Sequence, residues 1–170
     1  ESVIEHEKVS VREVCDRGVS HEIVRHRLAS YSQESTRYCN YGGNDITFII
    51  PCWCENISEG IYTHVFNDIL ASPIGSTEAE FQWLRAMRDS ENYYQLLIAE
   101  GWQPQEARSV LPNSLKTEIV MTMNLREWRH FFKLRTAKAA HPQMREIAIP
   151  MLQAFKDIIP IIFDDIEVID

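Results

Sequence analysis

The chain has no apolar run long enough to cross a bilayer. Its longest, "ITFII" and "DIIPIIF", fall far short of the roughly 20 residues a span requires. No charged-then-apolar leader opens the sequence, so a cytoplasmic protein with no membrane partner is expected. Cysteine is sparse: Cys15, Cys39, Cys52 and Cys54. Cys52-Trp53-Cys54 lacks the two-residue spacing of a zinc site and has no matching pair, so reduced thiols and no metal are expected. His6, His21, His64 and His141 show no metal-ligand spacing and read as structural histidines. No glycine elbow and no Ser-His-Asp context surround Ser35, so a nucleophile is not expected there. Positive charge is also short, 17 Lys and Arg against 25 Asp and Glu. A net charge of −8 argues against a nucleic-acid polymer as partner, because duplex affinity rests on a broad cationic face.

What is present suits one folded domain. The 170 residues are 45% apolar, enough for a core, and contain no repeat, low-complexity tract or long linker. Alternation in "HEKVSVREVC" predicts a strand, and Ser20 is placed to cap a short helix running into Arg25. "DITFIIP" reads as a second strand closed by Pro51. Thr77 and Glu80 have capping-box spacing ahead of a helix stopped by Gly101. Pro104 starts a short helix ended by Pro112. "LKTEIVMTMN" reads as a strand, and "LREWRHFFKLR" as a helix with Leu125, Trp128, Phe132 and Leu134 on its buried face. The final helix carries Pro150, which predicts a kink or a split. Strands and helices alternate without a βαβ rhythm. This predicts an α+β fold, a mixed or antiparallel sheet packed with helices.

Against the acidic background the basic residues cluster. "RHRLASYSQESTRY" (25–38) holds Arg25, His26, Arg27 and Arg37, and between Asn124 and Arg145 six basic residues face Glu127 alone. Consecutive helical residues point about 100° apart, so Arg25, His26 and Arg27 share one pocket only if the helix ends there or several subunits meet. A solvated helix end is the plain alternative. Arg126 and His130, four apart, share a helix face. With Arg108 and Arg135, four chain regions offer guanidinium forks suited to phosphate and carboxylate. A cationic pocket of this kind suits small anions. The aromatics of "WCEN", "FQWLRAM" and "ENYY" read as packing rather than stacking platforms.

Arg25-His26-Arg27, seven residues, then Ser35 matches the RHR-x7-S signature, and the chain resembles the flavin-dependent thymidylate synthases. The resemblance continues in order through "ARSVLP", "MNLREWRHFFKLR" and "HPQMREIA". It implies a single domain over 1–170, lacking the N-terminal segment usual in that family, assembled as a homotetramer with shared active sites. It also implies FAD as cofactor, with NADPH and methylenetetrahydrofolate as co-substrates in the reductive methylation of dUMP to dTMP.

By the same resemblance, Ser2, Arg25, His26, Arg27, Gln33, Asn124, Leu125, Arg126 and His130 fall at flavin-contacting positions. Glu22, Ile23, Val24, Arg25, Gln33, Glu34, Ser35, Thr36, Arg37, Arg108 and Arg135 fall at dUMP-binding ones. Gln33 and His130 stand where some members carry glutamate and asparagine. Arg135 matches the arginine held against the uracil ring, hence the expected catalytic residue. The chemistry agrees, since dUMP phosphate, FAD pyrophosphate and the folate tail are all anions. A fixed guanidinium stabilises negative charge developing on the pyrimidine, and no enzyme nucleophile is required. A flavin- or nucleotide-binding protein without catalysis and an RNA-binding module are the competing classes; the acidity weighs against the latter.

Overall fold

The computed structural model describes residues 2–62 and 75–168, so His64 lies outside them. In chain order the elements are a 3-10 turn (Ser2–Glu5), β1 (Lys8–Asp16), α1 (Arg17–Ile23), β2 (Ala29–Gln33), α2 (Glu78–Ala99), α3 (Pro104–Ala107), a 3-10 turn (Arg108–Val110), β3 (Lys116–Asn124), α4 (Leu125–Arg135), α5 (Pro142–Ile158) and α6 (Pro160–Phe163). They form two compact units, Glu1–Glu34 with Thr117–Asp170, and Ser35–Lys116.

The first unit is built on a three-stranded sheet in the order β1-β3-β2. β2 pairs antiparallel with β3, with Ala29 opposite Met123, Tyr31 opposite Met121 and Gln33 opposite Ile119. β1 runs antiparallel along the other edge of β3: Ser10 bonds Thr122 across the strands, and the Leu125 N–H donates to Glu7 O. Ile119, Met121 and Met123 therefore share the inner face, while Thr122 and Ser30 turn outward. Helices α4 and α5 cover the inner face with a run of aromatics. Trp128 lies parallel to Phe132 at 5.5 Å, and Phe155 meets Trp128, Phe132 and Phe163 at 4.9, 5.0 and 5.1 Å. The Trp128 indole N–H donates to Val9 O at 3.1 Å, joining α4 to β1. Architecture and sheet agree with the expected α+β class.

Among the described residues, the second unit has two smaller apolar clusters. Ile46, Tyr94, Ala107 and Leu115 form one, and Cys54, Ile57 and Leu84 the other. Its long helix α2 begins where its capping box predicts. Thr77 Oγ1 accepts from Glu80 N–H, and the Glu80 carboxylate accepts from Thr77 N–H. Past its end, Gly101 adopts φ +93°, the left-handed conformation that glycine takes without strain.

Four local expectations are corrected, one of them in part. Helix α1 is capped by Asp16, whose Oδ1 accepts from Val19 N–H at 2.7 Å, and not by Ser20, which is buried inside it. "DITFIIP" makes only the isolated bridge Phe48–Leu115, because the Ile46 N–H turns to the Glu91 carboxylate at 2.7 Å instead of a strand neighbour. "ASYSQ", for which no element was expected, is β2; Ala29 and Gln33 make its inward face too weakly apolar to stand out from the outward serines. Leu134 is 50% exposed, and Phe131 takes the expected place in the core. Of the kink or split expected at Pro150, the split does not occur, since α5 runs on to Ile158. The break comes at Ile159, which precedes Pro160 and is driven out of helical geometry to φ −134°, ψ 61°.

Candidate functional site

Helix α1 stops at Ile23, which removes the difficulty posed by three consecutive basic residues. Arg25, His26 and Arg27 follow in a turn and irregular backbone before β2. All three line one cavity of about 340 Å³ with Leu28, Glu127, His130, Leu134 and Arg135. Arg25 and Arg27 are exposed, whereas His26 is buried at 5% exposure.

Helix α4 supplies the opposite wall by its register, because Glu127, Phe131 and Arg135 are four apart and share a face. The His26 ring packs against Phe131 at 4.9 Å. Arg135 Nε–H donates to His26 Nε2 at 3.0 Å, Nη1 donates to the Glu22 carboxylate at 3.0 Å, and Nη2 to Glu22 O at 2.9 Å. Two of the five guanidinium N–H donors remain on a side chain that lines the cavity. Because an arginine Nε can only donate, His26 Nε2 accepts and the ring carries its proton on Nδ1, which meets Glu127 Oε1 at 3.2 Å. Burial pushes His26 below its ordinary pKa, reinforced by the Arg135 charge and opposed by Glu127. The imidazole is therefore neutral at pH 7.

A second cavity, about 650 Å³, adjoins it through Leu28, Glu127 and His130 and is also lined by Glu5, Asn124, Arg126, Arg129 and Lys133. Arg126 pairs with Glu5 of the N-terminal turn that starts at Ser2, and Arg129 pairs with Asp165 at 2.5 Å. Asn124 caps α4 by accepting from Glu127 N–H at 2.8 Å. This cationic lining fits the pyrophosphate of a dinucleotide. His26, Glu127 and His130 bring ligand-type atoms within 4.8 Å of one another. Both nitrogens of His26 are already engaged, so the group reads as a hydrogen-bond relay.

The other expected residues of this unit are more structural. Ile23 and Leu125 are buried in the core, and Val24 forms the C-cap of α1. Gln33 donates its amide to Ser20 Oγ at 2.8 Å and Thr117 Oγ1 at 3.2 Å, and Glu34 N–H extends the pairing with Glu118 O. Ser35, Thr36, Arg37 and Arg108 belong to the second unit and form a group of their own. Thr36 is buried and accepts from Arg108 Nη1 at 3.2 Å; Ser35 Oγ accepts from Arg37 N–H at 3.3 Å; Arg37 Nε donates to Gln105 at 3.1 Å. Two exposed guanidinia thus accompany a hydroxyl-rich turn, a donor set suited to phosphate. No thiol in a core competes as nucleophile, since burial pushes Cys15 up to about 12 and also raises Cys54.

Glu127 was not singled out for the site by the sequence. Its only signal was being the lone acid among six basic residues of that stretch. Leu28 and Leu134, apolar yet exposed at the cavity, gave none.

Residues 1–161 match the family described as thymidylate synthase complementing protein, and the chain belongs to that family. It is 35% identical over 167 residues to a flavin-dependent thymidylate synthase of Geobacter sulfurreducens, covering 97% of this chain and 63% of the relative. Proteins of the same name from Pyrococcus furiosus and Pyrococcus horikoshii are 36% and 37% identical, each over 95% of this chain and 61% of the relative. The chain thus spans about three-fifths of the length of these curated relatives. Among the described residues no helix is long and apolar enough to cross a membrane.

Proposed function

We propose that this chain is a flavin-dependent thymidylate synthase, converting dUMP to dTMP in the cytoplasm with methylenetetrahydrofolate as carbon donor and NADPH as reductant. The observation that carries the proposal is Arg135, locked by three hydrogen bonds at a cavity edge with two donors to spare. Residues 1–170 act as one catalytic domain, and a homotetramer brings Arg25, Arg27 and Arg37 of different subunits to shared sites.

Asn124, Leu125, Arg126 and His130, with Ser2, Gln33 and Arg25-His26-Arg27, hold FAD, the cations facing its pyrophosphate. Bound and reduced, the flavin supplies a hydride. Ser35, Thr36, Arg37 and Arg108 take the phosphate of dUMP, with Glu34 beside them, and Glu22, Ile23 and Val24 flank the nucleotide. Arg135 sets its remaining N–H donors against the pyrimidine and stabilises negative charge as the N3 proton is lost or delocalised, which makes carbon 5 more nucleophilic. Losing a preorganised donor of this kind raises the barrier by about 3 to 4 kcal/mol. Arginine keeps its charge at any working pH, so it polarises the ring without taking a proton. No side chain forms a covalent bond to the substrate.

The test is dTMP formation from dUMP with FAD, NADPH and methylenetetrahydrofolate under low oxygen. Product that is lost in Arg135→Ala while flavin stays bound supports the reading. No product from the flavin-loaded protein sinks it and leaves a ligand-binding protein.

A further inference from the structure

We propose that Glu127 is a positioning residue for this reaction, acting through His26 to hold the Arg135 guanidinium in its working orientation. The inference rests on the role proposed for Arg135 and extends it to a side chain that touches neither substrate nor cofactor in that scheme.

Glu127 is buried, and a carboxylate is kept there only if its oxygens are bonded. Its Oε1 lies 3.2 Å from His26 Nδ1, and the ring's other nitrogen receives Arg135 Nε at 3.0 Å. The carboxylate therefore selects the Nδ1–H tautomer, and only that tautomer leaves Nε2 open to accept from the arginine. The opposite tautomer sets an Nε2–H against the Arg135 Nε–H, two donors face to face. Imidazolium does the same and adds a second positive charge. Glu22 holds the far edge of the guanidinium, so Glu22 and His26 grip it from both sides and fix its plane.

The other titratable groups around His26 are consistent with a single working state. His130 packs edge-on at 5.7 Å, and Tyr31 places its hydroxyl 2.7 Å from His26 O, where it stays protonated because burial pushes its pKa up to about 12. Arg25 and Arg27, flanking His26 in sequence, are exposed. With the His26 pKa lowered, the relay is intact at neutral pH and is lost as pH falls through that pKa.

The test compares wild type, Glu127→Gln and Glu127→Ala, each loaded with FAD. Nitrogen-15 spectra of the histidine side chains read the tautomer, and kcat and KM for dUMP are measured across pH. Wild type is expected to show a neutral His26 with its proton on Nδ1. Glu127→Ala loses that signature and about tenfold to a hundredfold in kcat, with KM for dUMP changing much less, as for a misdirected group. Glu127→Gln keeps an acceptor for Nδ1–H but removes the charge that raises the His26 pKa, so the acid limb of kcat moves to lower pH. It also serves as the readable variant if the alanine form does not fold. A wild-type His26 protonated on Nε2 overturns the proposal. So does a kcat loss with unchanged tautomer and unchanged acid limb, which leaves Glu127 a packing role. If wild type makes no dTMP, the functional reading fails, and the tautomer comparison alone decides the relay.

Discussion

Arg108 Nη1 donates to Thr36 Oγ1 at 3.2 Å, and Thr36 is buried, so the turn bearing Ser35 and Arg37 is pinned to the residue that opens the following 3-10 turn. Two arginines 71 positions apart in sequence thus meet in one donor group. Under the proposed function, Arg37→Ala and Arg108→Ala each remove about 1.5 to 3 kcal/mol of charged hydrogen bonding to the phosphate, roughly tenfold to a hundredfold in KM for dUMP. Both side chains are exposed, so the penalty is expected to shrink as salt is raised. Steady-state kinetics at two ionic strengths checks this, and a kcat-only effect argues against a phosphate role.

Arg135→Lys keeps the charge but cannot reproduce three directed bonds from a planar fork. We expect kcat to fall by about 10²- to 10³-fold with flavin absorbance retained. Near-wild-type turnover would mean that charge alone suffices and orientation is irrelevant.

Trp128 combines full burial with the bond to Val9 O. Trp128→Ala is expected to cost about 3 to 5 kcal/mol of stability. Trp128→Phe retains most of the packing and removes only the bond to Val9 O, costing about 0.5 to 1.5 kcal/mol. Urea midpoints at unchanged slope measure both, and equal losses would assign the whole effect to the hydrogen bond.

Glu80 sits in the capping box of α2, and main-chain N–H bonds from Thr77 and Asn56 hold its carboxyl down at about 2, against an ordinary 4.5. A lowered carboxylate stabilises the fold above the ordinary value, and that stability is lost as pH falls from about 4.5 towards 2. Thr77→Ala is expected to cost about 1 kcal/mol at pH 7. Glu80→Gln should flatten the acid side of the stability profile; an unchanged profile would show that other carboxylates set it.

Elements legible in the sequence are those whose cause is local. The capping box at Thr77 and Glu80 lies within one turn, and the apolar spacing of α4 and the alternation of β3 repeat over several residues. Two segments that local pattern did not resolve have backbone partners far away. The strand β2 exists because β3 pairs with it some 90 residues later, and Ile46 is drawn off a strand by Glu91, 45 residues on.

The same division runs through the site. The RHR-x7-S spacing and the later arginines were sufficient to point to the family and to an anion-binding site, because charge and hydrogen-bonding type belong to each residue wherever the chain puts it. Which donors are occupied, which tautomer His26 holds and where Arg135 points were decided only by tertiary structure. Glu127 meets His26 across 101 residues, and His26 meets Arg135 across 109. Bonds of a few ångströms between such distant positions exist only after β2, β3 and α4 have packed, which is why a lone acid in a basic stretch gains its meaning from the fold.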